Sequence, residues 1–214
     1  IGKSLFENLK QAKEFSNVIG FCRKTKPGFD ISNETYMKNL SNSISNEGRI
    51  HLLINATGYL SDQNSMPEKK IEDINFTYLK KSLSTNTIGN AFVIKYFAPL
   101  MEHKTKAYFI SLSARVSSMS DNGLGGWYSY RASKAALNQL IKTASIEFKR
   151  KNSSLIFLSL HPGTVETKLS KSFLRNQKRF SPDEAAKNIL NIYKRFDIKN
   201  SGSLVDYKGE TIPF

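Results

Sequence analysis

The stretch GWYSYRASKAALNQL, residues 126–140, sets Tyr130 and Lys134 four residues apart, directly after the glycines Gly123, Gly125 and Gly126. In a helix, positions i and i+4 share one face, so the Lys134 ammonium would stand beside the Tyr130 phenol or share a ligand with it. A phenol titrates near pH 10 in water, and a neighbouring cation favours the phenolate and brings proton exchange toward neutrality. The pair therefore reads either as an acid/base couple or as two surface residues of a lysine-rich chain. Its surroundings have to decide.

Outward from this stretch, short apolar runs alternate with segments of helical period. Strands are expected at 17–22 (NVIGFC), 29–31 (FDI), 50–55 (IHLLIN), 106–112 (KAYFISL), 154–160 (SLIFLSL) and 201–207 (SGSLVDY). Helices are expected at 2–14, 33–46, 75–101 with a break near Asn86, 126–151 and 182–196. Ser181, Pro182 and Glu184 supply a serine cap, a first-turn proline and a reciprocal glutamate for the last of these. The alternation predicts an α/β protein, a parallel sheet covered by helices, as a single domain over residues 1–214. In such sheets a ligand sits beyond the carboxyl ends of the strands. The residues found there are Arg23-Lys24, Asp30, Asn55-Ala56-Thr57-Gly58, Ser113 and His161-Pro162-Gly163-Thr164.

Composition narrows the function classes. The 32 Lys+Arg against 18 Asp+Glu give a formal charge of +14, compatible with nucleic acid, acidic membrane or phosphorylated small molecules. The lysines are scattered, and no zinc-finger spacing, RNP-type strand or arginine-rich tail accompanies them, so a solvated basic surface is the expected reading and nucleic acid an unlikely partner. A single cysteine, Cys22, excludes a disulfide framework and a cysteine metal cluster, no metal site is expected, and a cytoplasmic setting follows. No apolar run reaches the roughly 18 to 20 residues of a bilayer span, so no membrane association is expected.

Taken in order along the chain, the motifs resemble those of the short-chain dehydrogenase/reductase superfamily, in the branch that contains C-factor and carbonyl-reductase-like proteins. The likeness rests on Asn55-Ala56-Thr57-Gly58 for the family's Asn-Asn-Ala-Gly turn, Asn86 in STNTIGNAF, Tyr130-Arg-Ala-Ser-Lys134, and Pro162-Gly163 with Thr164 and Thr167 following. It implies a Rossmann-like, doubly wound, three-layer αβα fold and an oxidoreductase that interconverts a small-molecule carbonyl and an alcohol. By the same resemblance Tyr130 is the general acid/base, Lys134 binds the nicotinamide ribose and lowers the phenol pKa, and Asn86 holds a water in a proton relay. Structurally, Asn86 reads equally as a helix-interrupting residue satisfied by backbone.

By the resemblance, the family places a substrate-orienting serine after the strand expected at 106–112. Here the chain has Ser113-Ala114, with the alanine at that position; Ser118, and next Ser113, are the candidate replacements. That departure keeps open an alternative reading, a catalytically impaired signalling or binding protein on the same scaffold. Arg23, with Lys24, falls where a basic residue accommodates a ribose 2′-phosphate, favouring NADP over NAD. The expected cofactor contacts also include Asp30, Ile31, Asn55, Ala56, Thr57, Gly58, Pro162, Gly163, Thr164, Val165 and Thr167. Residues 165–180 are expected to form a lid.

Ile1-Gly2 resembles the tail of the family's glycine-rich phosphate loop, so Gly2 joins the cofactor list, and the first strand with most of that loop is expected to be missing from this sequence. Weakened cofactor binding is the expected consequence. The long helices carry Ala132, Ala135 and Ala136, which suit either packing on the sheet or pairing into a homodimer or homotetramer.

Overall fold

Four parallel strands make the sheet, in the spatial order β1 (Leu52–Asn55), β2 (Ala107–Leu112), β3 (Leu155–His161) and β4 (Ser203–Asp206). The computed structural model describes residues 1–63, 65–151, 153–167, 170 and 179–214. In register, Asn55 lies beside Ser111, Ile110 beside Leu158, and His161 beside Asp206. Because β2 and β3 are covered on both faces, their sequences read as nearly unbroken apolar runs rather than as alternation.

Among the described residues six α-helices form the outer layers: α1 (Gly2–Ala12), α2 (Glu34–Ile44), α3 (Phe76–Leu83), α4 (Gly89–Phe97), α5 (Tyr128–Arg150) and α6 (Pro182–Ile192). One face of the sheet presents Phe109 and Phe157 to α2, α4 and α5; Leu137 and Ile141 of α5 are fully buried there, and the two phenyl rings stack at 5.2 Å. The opposite face presents Tyr108, Ile110 and Leu160 to Leu5 of α1 and Ile189 of α6. Each such buried side chain contributes about 1.5–3 kcal/mol relative to exposure. The result is the expected doubly wound, three-layer αβα architecture.

Several elements differ from expectation. The predicted 75–101 helix bends as foreseen near Asn86, but by widening: Ser84–Ile88 is a π turn between α3 and α4, so the chain stays helical while its hydrogen-bond ladder shifts register. A 3₁₀ turn, Ala98–Leu100, closes the segment. The expected strands 17–22 and 29–31 are not strands. Apolar, β-prone sequence needs a ladder partner to become a strand, and residues 17–22 bond to none of the four. At 29–31 a local bond wins: Asp30 Oδ1 accepts from the Ser32 N–H at 2.9 Å and from the Ser32 hydroxyl at 2.7 Å, making a turn.

The capping box at the start of α6 is present. Ser181 Oγ accepts from Glu184 N at 3.1 Å, and Glu184 Oε2 accepts from Ser181 N at 2.7 Å. Most of the expected lid, 168–169 and 171–178, lies outside the described residues; on either side of it Val165 bridges to Phe180. Among the described residues no helix is long and apolar enough to cross a membrane, and no group of three His, Cys, Asp or Glu side chains could hold a metal ion.

Candidate active site

The loop leaving β1, the end of β2, the π turn and the first turns of α5 meet at one place, and the sequence explains how each is held. Asn55 ends β1. Its Oδ1 accepts from the Thr57 N–H and hydroxyl at 3.1 and 2.6 Å, turning the chain, while its Nδ2 donates to Asn90 Oδ1 at 2.7 Å. Asn90 Oδ1 also accepts from the Ser111 hydroxyl at 3.0 Å, tying β1, β2 and α4 together through buried groups. Gly58 in this turn lies beside both Asn86 and Lys134: a Cβ there would stand 3.7 Å from Asn86 Oδ1 and from Lys134 Nζ, an ordinary packing distance.

Asn86 is wholly buried. Its Nδ2 donates to Tyr59 O at 2.8 Å and to Ser133 Oγ at 3.0 Å, and its Oδ1 accepts from Tyr59 N at 2.8 Å. Ser133 Oγ donates onward to Tyr130 O, and Thr87 Oγ1 donates to Ser133 O, both at 2.9 Å. Asn86 thus stitches the turn after β1 to the part of α5 that carries Tyr130 and Lys134. Both hydrogens of its amide are spoken for, and its backbone carbonyl accepts from Asn90 Nδ2 at 2.9 Å.

Lys134 is 3% exposed and donates from Nζ to Leu112 O at 2.8 Å, its one protein partner among the described residues, so two ammonium hydrogens face the space beside Gly58. Tyr130 packs among Leu60, Ala114, Val116 and Trp127, the indole standing edge-on at 6.1 Å. Its hydroxyl has no hydrogen-bond partner among the described residues, yet it is not one of the sealed unpaired atoms, which are Ser82 Oγ, Ser159 Oγ and His161 Nδ1. Burial pushes the Tyr130 phenol above its ordinary value and brings the Lys134 ammonium down to about 8. Desolvation therefore outweighs the phenol-lowering effect expected of the lysine; the ammonium itself is the group brought closest to neutrality.

The candidate serines face other work. Ser113 Oγ donates to Asn138 Oδ1 at 2.8 Å, while Ser118 Oγ accepts from Asp121 N at 3.0 Å. Ser117 Oγ, between Ala114 O at 2.5 Å and Asn138 Nδ2 at 2.7 Å, completes a buried network behind the loop. Beside the phenol it is the methyl group of Ala114 that lines the site.

Among the expected cofactor residues, Gly2 and Ala56 come together at the amino end of α1, where a Gly2 Cβ would lie 3.5 Å from that of Ala56. Arg23 and Lys24 are exposed in a turn closed by Thr25 N and Lys26 N donating to Cys22 O at 3.1 and 2.9 Å. Arg23 is near enough to Lys81 to oppose its charge. Ile31 is buried in the core against Gly89, where a Cβ would meet its side chain at 2.4 Å. Pro162 and Gly163 turn the chain after β3; Gly163 has φ 79° and would otherwise strike Phe180. Thr164 O accepts from Phe180 N at 2.9 Å, Val165 is buried, and Thr167 N donates to Ser170 Oγ at 3.1 Å.

His161 is half-buried at the end of β3, with its Nδ1 sealed from solvent; desolvation, and next Arg115, bring its imidazole down to about 4. Two participants escaped the sequence reading. Asn90 carried a signal, its i+4 spacing from Asn86; Glu68, buried at the amino end of α5, carried none, because its partners lie 61 residues away.

The loop after β1, the π turn and the start of α5 thus bring Asn86 and Lys134 together beside Gly58, and known proteins resemble the chain as a whole. The sequence matches the short chain dehydrogenase family over residues 8–178. It is 26% identical over 177 residues to the 1-hydroxy-2-glutathionyl-2-methyl-3-butene dehydrogenase of Rhodococcus sp. (strain AD45), covering 83% of this chain and 74% of that one. It is 23% identical over 142 residues to the C-signal of Myxococcus xanthus, covering 66% of this chain and 82% of the other. In structure it superposes on an NADPH-bound carbonyl reductase from chicken fatty liver with a TM-score of 0.77 at 24% identity, over 97% of this chain and 82% of that one. With a family match that spans most of its length, this chain belongs to the short chain dehydrogenases, NAD(P)-dependent oxidoreductases.

Proposed function

We propose that the protein interconverts an apolar carbonyl compound and the corresponding alcohol, using NADP(H). The observation that carries this reading is the Tyr130 hydroxyl, unpaired among the described residues and walled by Leu60, Ala114, Val116 and Trp127, next to a lysine with two free donors. When bound, the cofactor supplies or takes up the hydride. Tyr130 Oη donates its proton to the carbonyl oxygen in reduction and accepts it back in oxidation. Lys134 Nζ, fixed by Leu112 O, directs its remaining N–H groups to ribose hydroxyls beside Gly58. Asn86 holds the turn after β1 against α5, keeping the two groups in register, and its Oδ1 retains a lone pair for a relay water. Arg23 and Lys24 neutralise the 2′-phosphate, which favours NADP over NAD. The apolar wall excludes water from the phenol, which strengthens its hydrogen bond to the substrate oxygen.

The test combines NADPH binding by fluorescence with turnover over a panel of aldehydes and ketones. Tyr130→Phe should leave NADPH affinity intact and lower kcat by about 10²–10⁴-fold; unchanged turnover would refute the assignment. One observation favours a second reading: Ala114, which packs with Tyr130, offers no hydroxyl to orient the substrate. On that reading the chain binds NADPH and acts as a binding or signalling protein, and NADPH affinity with no turnover on any carbonyl would favour it.

A further inference from the structure

The helix that carries Tyr130 begins without a cap of its own. Trp127, preceding α5, sits in the left-handed region at φ 55° and ψ 40° and offers no side-chain cap. The first N–H groups of a helix lack intrahelical partners, and this 23-residue helix turns its positive end toward them. Glu68, from the loop between β1 and α3, fills the gap. It is 2% exposed; Oε1 and Oε2 accept from the Ser129 N–H at 3.3 and 3.2 Å, and the Ser129 hydroxyl donates to Oε1. The Glu68 backbone carbonyl accepts from Trp127 N at 2.6 Å.

A buried carboxylate is costly unless donors surround it, and the helix terminus supplies both the donors and a favourable field. The glycine turn is shaped to allow the approach: Gly126, at φ 65°, would with a Cβ come to 3.4 Å from Glu68 O. Arg131 clamps the other side of the turn, donating to Gly126 O, Val116 O and Gly125 O at 2.9, 3.0 and 3.0 Å.

We propose that Glu68 is the positioning residue that fixes the first turn of α5 and thereby holds the Tyr130 hydroxyl where it meets the substrate oxygen. Tyr130 directly follows Ser129, so any shift of that turn carries the phenol with it. Lys134 lies one turn further on and is anchored separately to Leu112 O. Loss of the Glu68 contact therefore displaces the acid relative to the cofactor-holding lysine, and it leaves the cofactor contacts themselves in place. The inference rests on the reading of Tyr130 as the proton donor.

The experiment uses the full chain, NADPH and the best carbonyl of the panel, and it separates reach from charge. Glu68→Gln keeps the length and an acceptor for Ser129, so kcat should stay within about threefold of the parent; Glu68→Asp keeps the charge but is one methylene short, and kcat should fall about 30-fold. In both, KM and NADPH affinity should hold within about twofold, because uniform binding is untouched. Unchanged kcat in Glu68→Asp, equal losses in both variants, or a fall in NADPH affinity parallel to kcat each overturns the proposal. Should Glu68→Asp not fold, Ser129→Ala removes one donor to the carboxylate, and a kcat that does not fall there overturns it equally. Tyr130→Phe run alongside keeps the two claims apart: retained turnover in that variant rejects the acid, whereas its loss with a fully active Glu68→Asp rejects only the positioning.

Discussion

At the carboxyl end of β2, Asn86 and Ser133 are fully buried and hydrogen-bonded to each other, tying the turn after β1 to α5, and Lys134, nearly as buried, is anchored separately to Leu112 O. Arg23 and Lys24, which the proposed function assigns to the cofactor groove, stand exposed in a turn closed by local bonds to Cys22 O. The first region is fixed by buried contacts within the fold, so on the proposed function its residues would act on folding and on chemistry together. The second region consists of solvated charges that add little to the fold, so its contribution must be read from binding and from its sensitivity to salt. Three measurements press on this contrast.

The largest effect belongs to Asn86. Asn86→Ala strips partners from Tyr59 N, Tyr59 O and Ser133 Oγ inside the fold. Buried polar groups left unpaired cost about 1–3 kcal/mol each, relaxation offsets part of the sum, and we expect about 3 kcal/mol, or roughly 10 °C in Tm. Thermal unfolding of the variant checks it. A loss of turnover without a loss of stability would mean that the buried network is not what holds this region.

Next comes Lys134, whose ammonium burial lowers to about 8 from 10.5. Between pH 8 and 10 the unfolded chain keeps a proton that the folded chain has released, so the unfolded state binds more protons and stability rises with pH. Over that window the rise should be about 2–3 kcal/mol, read as the difference in denaturant unfolding between the parent and Lys134→Met, which lacks the titrating group. Turnover should move the opposite way over the same window, because the ribose-binding cation is lost as the fold gains. A flat difference between the two proteins would place the lysine in a more solvated setting than its contacts imply.

The same contrast decides what the sequence could disclose. Strands β2 and β3 were legible because burial on both faces forces unbroken apolar runs, and α6 because its capping box is local. The approach of Gly58, Asn86 and Lys134 was legible in motif order, since Asn55 ends β1, Asn86 sits at the break between α3 and α4, and Tyr130 and Lys134 lie in the first two turns of α5. The runs 17–22 and 29–31 misled because strand propensity says nothing about whether a ladder partner is present, and Asp30 had a local turn available. Glu68 was invisible for the related reason that a cap supplied from 61 residues away leaves no spacing to recognise. The serines of the loop after β2 show a third limit: a hydroxyl at the right place in sequence, such as Ser113, can be turned to a buried asparagine instead.

The smallest expected effect tests the open side of the groove. Arg23 and Lys24 have no ion pair among the described residues, and Lys81, within electrostatic reach of Arg23, is itself bound to Asp62 at 2.5 Å. Replacing both by serine should therefore leave Tm within about 1 °C, as expected for exposed residues away from packed features. On the proposed function NADPH affinity should fall about tenfold while NADH affinity changes by less than twofold, because only the former carries the phosphate that these charges would attract. Raising the ionic strength from 0.05 to about 0.5 M should erase most of that difference, since screening weakens exposed pairs and leaves buried contacts such as Lys134 to Leu112 O nearly untouched. A salt-independent loss shared equally by the two cofactors would mean that the turn shapes the groove rather than lending it charge, and the two ends of the site would then be alike in kind.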